Sequence, residues 1–256
     1  MIELLTQPAF WLSLVTLTFL ELVLGIDNLL FVSIAIGKLK GAEQSRARRV
    51  GVWGAMVLRI LMLAGIFWII QLDANPLFVL PEAWGRAVGA KDEEAIHAFT
   101  YFTVKDLILF AGGVFLLVKG TQEIHSAVHG AALEEAEAKT NFTAVVVQLA
   151  IINIVFSLDS VITAVGMTNI FEVMILAVVL STFVMAAASQ PLAEFIERHP
   201  TVKMLALAFI LLVGMALVAD GLGFHVPRGY LYFAIAFSLV VELLNIRARE
   251  KAEKQA

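Results

Sequence analysis

The chain has 256 residues, of which 60% are hydrophobic and 16% charged, with a net charge of −4 and no cysteine. A mean hydropathy of +0.89 excludes an ordinary soluble domain, whose usage is nearer half apolar and a quarter charged, and the missing cysteines exclude disulfides, thiolate metal sites and cysteine nucleophiles. The acidic balance leaves no basic surface for nucleic acid, and at ~20 apolar residues per spanning helix the length accommodates a single transmembrane domain over 1–256.

In chain order the apolar runs are 10–36, 50–71, 104–118, 142–165, 171–189, 202–219 and 230–244. They predict an all-α polytopic membrane protein with seven transmembrane helices. The first run lacks a positively charged flank and continues through Glu21 and Asp27 without a small-residue cleavage pattern, so it reads as a retained helix and not a signal peptide. The third is the shortest, and it spans only if Lys105 and Asp106 at its start sit at the interface.

The connections set the orientation. Residues 37–49 carry Lys38, Lys40, Arg46, Arg48 and Arg49 against Glu43, and short basic loops stay cytoplasmic. The N-terminus is therefore expected outside, with the connections 119–141 and 191–201 inside. The tail with Arg247, Arg249, Lys251 and Lys254 is expected inside too. Residues 72–103 form one long outside loop, with Asn75-Pro76, Pro81 and Asp92-Glu93-Glu94, read as a solvated cap. His125 and His129 stand four apart beside Glu123, a spacing that can hold a metal but is more often a plain surface helix.

The informative residues are polar ones inside apolar runs, since an ionisable group near the bilayer centre costs at least ~2.5–3.5 kcal/mol on insertion scales. The first run holds Glu21-Leu-Val-Leu-Gly25-Ile-Asp27-Asn28, and the fourth holds Asn153-Ile-Val-Phe-Ser157-Leu-Asp159-Ser160. Superposing Asp27 on Asp159 pairs Glu21 with Asn153, Gly25 with Ser157 and Asn28 with Ser160. A weaker echo is Thr103-Val104-Lys105 against Thr201-Val202-Lys203. A three-helix unit must re-enter the membrane from the opposite side. The pattern therefore predicts an inverted repeat over about 8–125 and about 142–222, followed by a seventh helix over about 229–246.

Glu21 and Asn28 share one helix face, as do Asn153 and Ser160, with each aspartate about 100° round from that stripe. Gly25 and Ser157 allow either close packing or a local break that frees backbone carbonyls. Together Asp27, Asp159, Glu21, Asn28, Asn153 and Ser160 offer an all-oxygen site that suits Mg²⁺, Ca²⁺ or Mn²⁺. The bland reading is that Glu21, Asn28, Asn153 and Ser160 only hydrogen-bond between helices. It does not extend to two aspartates at equivalent depth, because asparagine makes the same bond uncharged. Arg59 lies too deep in the second run to reach water by snorkelling and is expected to pair with Glu21 or Asp27. Asp106, Glu123 and Asp220 are candidate pathway acids or charge partners, and Asp220 and Glu242 read equally as interfacial residues.

On these two elements the chain resembles the TerC family of bacterial membrane proteins along nearly its full length. Further shared motifs are Lys105-Asp106-Leu-Ile-Leu with Gly112-Gly113 and Glu123-Ile-His125, and Asp220-Gly-Leu-Gly-Phe-His225-Val-Pro-Arg-Gly-Tyr230. The resemblance implies membership of the LysE transporter superfamily, two inverted three-helix repeats plus a seventh helix, and a place in the bacterial inner membrane. It also implies Mn²⁺ efflux, as in manganese exporters of the Alx type, with the paired Glu/Asp elements as ion site. Many relatives append cytosolic modules, whereas this sequence ends at Ala256, so no cytosolic regulatory domain is expected.

The expectation is therefore a divalent-cation exporter, Mn²⁺ ahead of Ca²⁺, with no enzymatic activity and no resident cofactor. Its partners are the metal ion and membrane lipid, and its oligomeric state is left open. Crowded carboxylates take up protons when the ion leaves, which makes H⁺ exchange a natural driving force. The competing readings are export of a small organic cation, which needs a larger cavity, an intramembrane aspartyl protease, for which Gly-x-Gly-Asp is missing, and a membrane scaffold.

Overall fold

The computed structural model describes residues 8–37, 39, 41–65, 76–87, 93–129, 141–168 and 170–253. The chain runs α1 (Pro8–Ile36), α2 (Ala42–Ala64), β1 (Pro76–Val79), α3 (Glu82–Ala87), α4 (Glu93–Thr100), β2 (Tyr101–Thr103), α5 (Val104–His129), α6 (Phe142–Met167), α7 (Phe171–Arg198), α8 (Pro200–Gly221) and α9 (Arg228–Glu253). This is an all-α polytopic architecture with one small two-stranded sheet.

Among the described residues six helices, α1 and α5 to α9, are long and apolar enough to cross a membrane. The seventh expected span is α2, which opens on Glu43, Arg46, Arg48 and Arg49 and carries Arg59 within it. Its described part is correspondingly polar, and the rest of the expected run, 66–71, lies outside the described residues. Large apolar side chains such as Trp11, Leu12, Phe19, Phe233 and Phe237 stand exposed on the outer surface. Lipid is as apolar as they are, so such a surface needs no protein cover.

Three boundaries differ from the sequence expectation, for physical reasons. Helix α5 is 26 residues long, at ~1.5 Å per residue a full span and not the shortest. Its polar end, Lys119 to His129, loses hydropathy but keeps helical hydrogen bonding. Helix α7 continues through Pro191 to Arg198, although proline lacks the N–H that would reach the Ala187 carbonyl. Because α8 opens on Pro200, where a missing N–H costs nothing, the expected connection 191–201 shrinks to a turn at His199.

The loop 72–103, expected outside, is partly folded among the described residues. Strand β1 pairs antiparallel with β2, and Phe78 stacks on Phe102 at 5.0 Å between ring centroids. Gly223, just after α8, has φ +82, and a Cβ there would lie 2.3 Å from the Ala98 carbonyl oxygen of α4. Only glycine tolerates both conditions, so this contact fastens the cap to the helix bundle.

The most extensive helix pairing is α5 on α8, followed by α1 on α7 and α2 on α6. At the α5–α8 crossing a Cβ on Gly113 would meet the Gly214 oxygen and the Val218 nitrogen, each at 2.7 Å. Both atoms are backbone, so the crossing closes only because small residues let the helices approach. Gly113→Val should therefore destabilise the bundle by about 1–3 kcal/mol. Thermal unfolding of the purified protein in detergent checks this, and an unchanged transition would show that the helices separate here without cost.

The apolar core falls into two clusters. One joins the second half of α1 to α5, α6 and α8 through Phe31, Ile36, Leu116, Leu149 and Leu207. The other joins the first half of α1 to α6 and α7 through Leu17, Leu158, Val161, Val173 and Ala177. Along α1 the first cluster resumes at Leu30 and the second ends at Leu17. The interval between them holds the buried polar residues Glu21 and Asn28.

Candidate functional site

That interval is a polar seam. Helix α1 supplies Glu21 and Asn28, α2 supplies Arg59, and α6 supplies Asn153, Ser157 and Ser160, every one of them buried. Arg59 Nη1 donates to Glu21 Oε2 at 2.5 Å, with both side chains 1–2% exposed. Of the two acids expected as its partner, Glu21 is thus paired with Arg59, and the Asp27 side chain lies outside the described residues. Asn28 Nδ2 donates to Asn153 Oδ1 and ties α1 to α6. Ser160 Oγ donates to the Ser157 carbonyl at 3.2 Å.

Several polar atoms here have no hydrogen-bond partner among the described residues: Thr18 Oγ1, Asn28 Oδ1, Arg59 Nε and Nη2, and Ser157 Oγ. Buried polar groups are normally satisfied, so unpartnered ones gathered in one place call for a water, an ion or a functional explanation. A cavity of about 20 Å³ lies among Asn28, Val52, Ala55, Arg59, Thr182 and Met185. A cavity of this size holds one water-sized particle.

Asp27 and Asp159 belong to α1 and α6, but their side chains lie outside the described residues. The backbone around them is continuous helix, so Gly25 and Ser157 introduce no break. Gly25 instead serves close packing, since a Cβ there would sit 2.5 Å from Met185 Sδ on α7.

Helix α7 contributes residues that sequence reasoning passed over. Thr182 lines the cavity, and Ser181, Thr182 and Ser189 are buried. The signal was the adjacent Ser181-Thr182 pair inside an apolar run. Both hydroxyls donate to the Val178 carbonyl, at 3.0 and 2.7 Å, so each is satisfied within its own helix.

The remaining charged candidates are elsewhere. Asp106 Oδ2 accepts from Thr103 N at 2.8 Å and Thr103 Oγ1 at 2.7 Å, which shapes the entrance to α5. Asp220 accepts from Val226 N at 3.0 Å and from Arg228 Nη2 at 2.8 Å, and so locks the turn into α9. Both line a larger cavity of about 480 Å³ with His97, Lys105, Thr163 and His225. Thr163 is one turn beyond Ser160 on α6, so this vestibule reaches down towards the seam. Glu123 is half-buried near the opposite end of α5, and Glu242 accepts from Thr201 Oγ1 between α9 and α8. The rings of His125 and His129 lie 4.0 Å apart, tilted at 33° to each other. Among the described residues no group of three or more His, Cys, Asp or Glu is arranged to hold a metal, and both histidines are exposed.

The family model described as "Integral membrane protein TerC family" matches residues 6–256. The chain is 44% identical over 253 residues to a UPF0053 protein of Haemophilus influenzae, covering 97% of this chain and 98% of that protein. It is 44% identical over 250 residues to the UPF0053 inner membrane protein YgdQ of Escherichia coli, covering 96% and 97%. To the UPF0053 inner membrane protein YoaE of the same organism it is 43% identical over 249 residues, which is 96% of this chain but 45% of that longer protein. No solved structure matches.

Proposed function

The chain belongs to the integral membrane protein TerC family, and on that premise we propose that it is a transporter, not an enzyme, that exports a divalent cation across the bacterial inner membrane. Close relatives carry the name inner membrane protein, which supports the location. The observation that carries the proposal is the polar seam between two apolar clusters, with unpartnered buried atoms on three helices, two of which, through Asn28 and Arg59, line a cavity for one small particle. A cavity of this size favours a single ion over an organic cation. Mn²⁺ is the first substrate to test, as the family resemblance implies, and Ca²⁺ the second, because oxygen ligands suit both.

The helix packing supports an inverted repeat of α1, α2 and α5 with α6, α7 and α8. Under that symmetry α1 on α7 must exchange with α2 on α6, and α5 must meet α8, which are the three most extensive pairings. The Asn28–Asn153 bond then sets the register. If α1 and α6 are antiparallel, Asp27 lies level with position 154, five residues from Asp159. At ~1.5 Å per residue the two aspartates are roughly 7–8 Å apart along the axis. One ion with oxygen ligands at ~2.3–2.6 Å can bridge two side chains across that offset. Glu21 is paired with Arg59, so in this reading the aspartates are the ligands that bring negative charge to the ion.

Intracellular metal content by mass spectrometry tests the proposal. Cells lacking the protein should accumulate Mn several-fold when grown in added Mn²⁺, and re-expression should reverse it. Unchanged Mn together with unchanged Ca would remove the divalent-cation reading. The orientation has its own test, since the chain contains no cysteine. Ala42, exposed at the start of α2, is expected inside with the basic residues that follow it. An Ala42→Cys variant should react with an impermeant thiol reagent only after permeabilisation, and reaction in intact cells would reverse the topology.

A further inference from the structure

Helix α2 is basic at its start, Arg59 is the one charge in the apolar sequence beyond Val50, and a cavity lies on each of its flanks. Against α7 there is a cavity of about 240 Å³, lined by Ser45, Arg48, Arg49, Trp53, Ser189 and Gln190. It sits where the apolar run begins, the depth of a lipid headgroup. Among the described residues Arg48 and Arg49 make no ion pair. The acids on the facing stretch of α7 are engaged, Glu194 by Gln190 at 3.0 Å and Arg198 at 3.9 Å, and Glu197 by Gln44 at 3.3 Å.

Against α6 there is an apolar groove of about 510 Å³, with Trp53, Gly54, Val57, Leu61, Asn153 and Ile154 among its walls. Val57, Leu61 and Ile154 are exposed, and nothing lies within 4 Å of where a Gly54 Cβ would stand. From Val50 to Leu61 the groove runs about 16 Å along the helix, close to the depth of one leaflet of a ~30 Å hydrocarbon core. Trp53 lines both cavities, so they form one continuous surface around α2.

We propose that this surface binds one anionic phospholipid. Its phosphate sits between Arg48 and Arg49, with the serine hydroxyls and the Gln190 amide alongside, and one acyl chain passes over Trp53 into the α2–α6 groove. Charge complementarity at the headgroup end and an open apolar channel of leaflet length at the other select a lipid over a soluble anion, which has no use for the groove. Asn153 lies in the groove floor and also bonds Asn28. The bound chain therefore forms the lateral wall beside the polar seam. This inference does not depend on which ion, if any, is transported.

Native mass spectrometry of the full chain, purified in a non-ionic detergent, tests it with phosphatidylglycerol and phosphatidylcholine of identical acyl chains. One phosphatidylglycerol should be retained with at least ~10-fold preference, as two arginines beside an anionic headgroup imply. Arg48→Gln with Arg49→Gln should abolish the preference. Gly54→Leu, which grows into open space, should lower retention of both lipids without changing the thermal transition, so misfolding does not account for the loss. Equal retention of the two lipids would overturn the proposal. So would displacement by inorganic phosphate combined with full retention in Gly54→Leu, since the cavity would then take phosphate alone.

Discussion

Asp27→Asn and Asp159→Asn should each reduce Mn²⁺ efflux to the level of cells without the protein, while the variants fold and insert normally. The amide keeps the volume and the hydrogen-bonding capacity of the carboxyl and removes only its charge. Folding should not suffer, because a neutral residue at this depth is less costly than an ionised one. Transport should fail, because a divalent ion leaving water needs anionic oxygen to replace its hydration. Partners that merely orient metal ligands cost ~10–100-fold when removed, so loss of a charged ligand should exceed ~100-fold. Asn153→Ala, which removes only the acceptor for Asn28, should cost less. Efflux measured with a radioactive or fluorescent Mn²⁺ assay, alongside membrane abundance, separates the effects. Retained efflux in either aspartate variant would remove that residue from the site.

Much of this arrangement is legible in the sequence because lipid punishes misplaced polarity. The ends of α1, expected at 10–36 and found at Pro8–Ile36, are marked by a sharp fall in hydropathy on each side. The polar seam is legible for the same reason: Glu21, Asn28, Arg59, Asn153 and Ser160 are conspicuous against apolar neighbours, and all are buried. What composition does not encode is direction around a helix and continuation past the membrane. That Arg59 meets Glu21 depends on how α2 rotates against α1. The extension of α5 to His129 and of α7 beyond Pro191 rests on backbone hydrogen bonds that hydropathy does not register. Strands β1 and β2, only four and three residues long, carry too little pattern to be read in advance. The roles of Asp106 and Asp220 needed coordinates as well, since a capping carboxylate and a pathway carboxylate look alike in sequence.

The Arg59–Glu21 pair carries the second large effect. Its two charges lie 2.5 Å apart in a site that is 1–2% exposed, and only one nitrogen of the guanidinium is bonded among the described residues, with Nε and Nη2 left over. A buried ion pair gives little net stability compared with apolar residues of the same volume, but removing one partner strands the other charge. Arg59→Met should therefore destabilise the protein by about 3–5 kcal/mol. Glu21→Gln should cost less, because the amide oxygen still accepts from Arg59. Glu21→Met with Arg59→Met should recover most of the loss, since no charge is stranded, and a double-mutant cycle on detergent-solubilised protein reads the coupling. Equal stability of wild type and Arg59→Met would show that the pair is not desolvated as its burial implies. The double variant then distinguishes structure from function. Arg59 lines the cavity beside Asn28, and under the proposed function its fixed positive charge holds the site when the ion has left. The refolded double variant should consequently fail to export Mn²⁺ despite its restored stability, and full export would reduce the pair to a structural tie between α1 and α2.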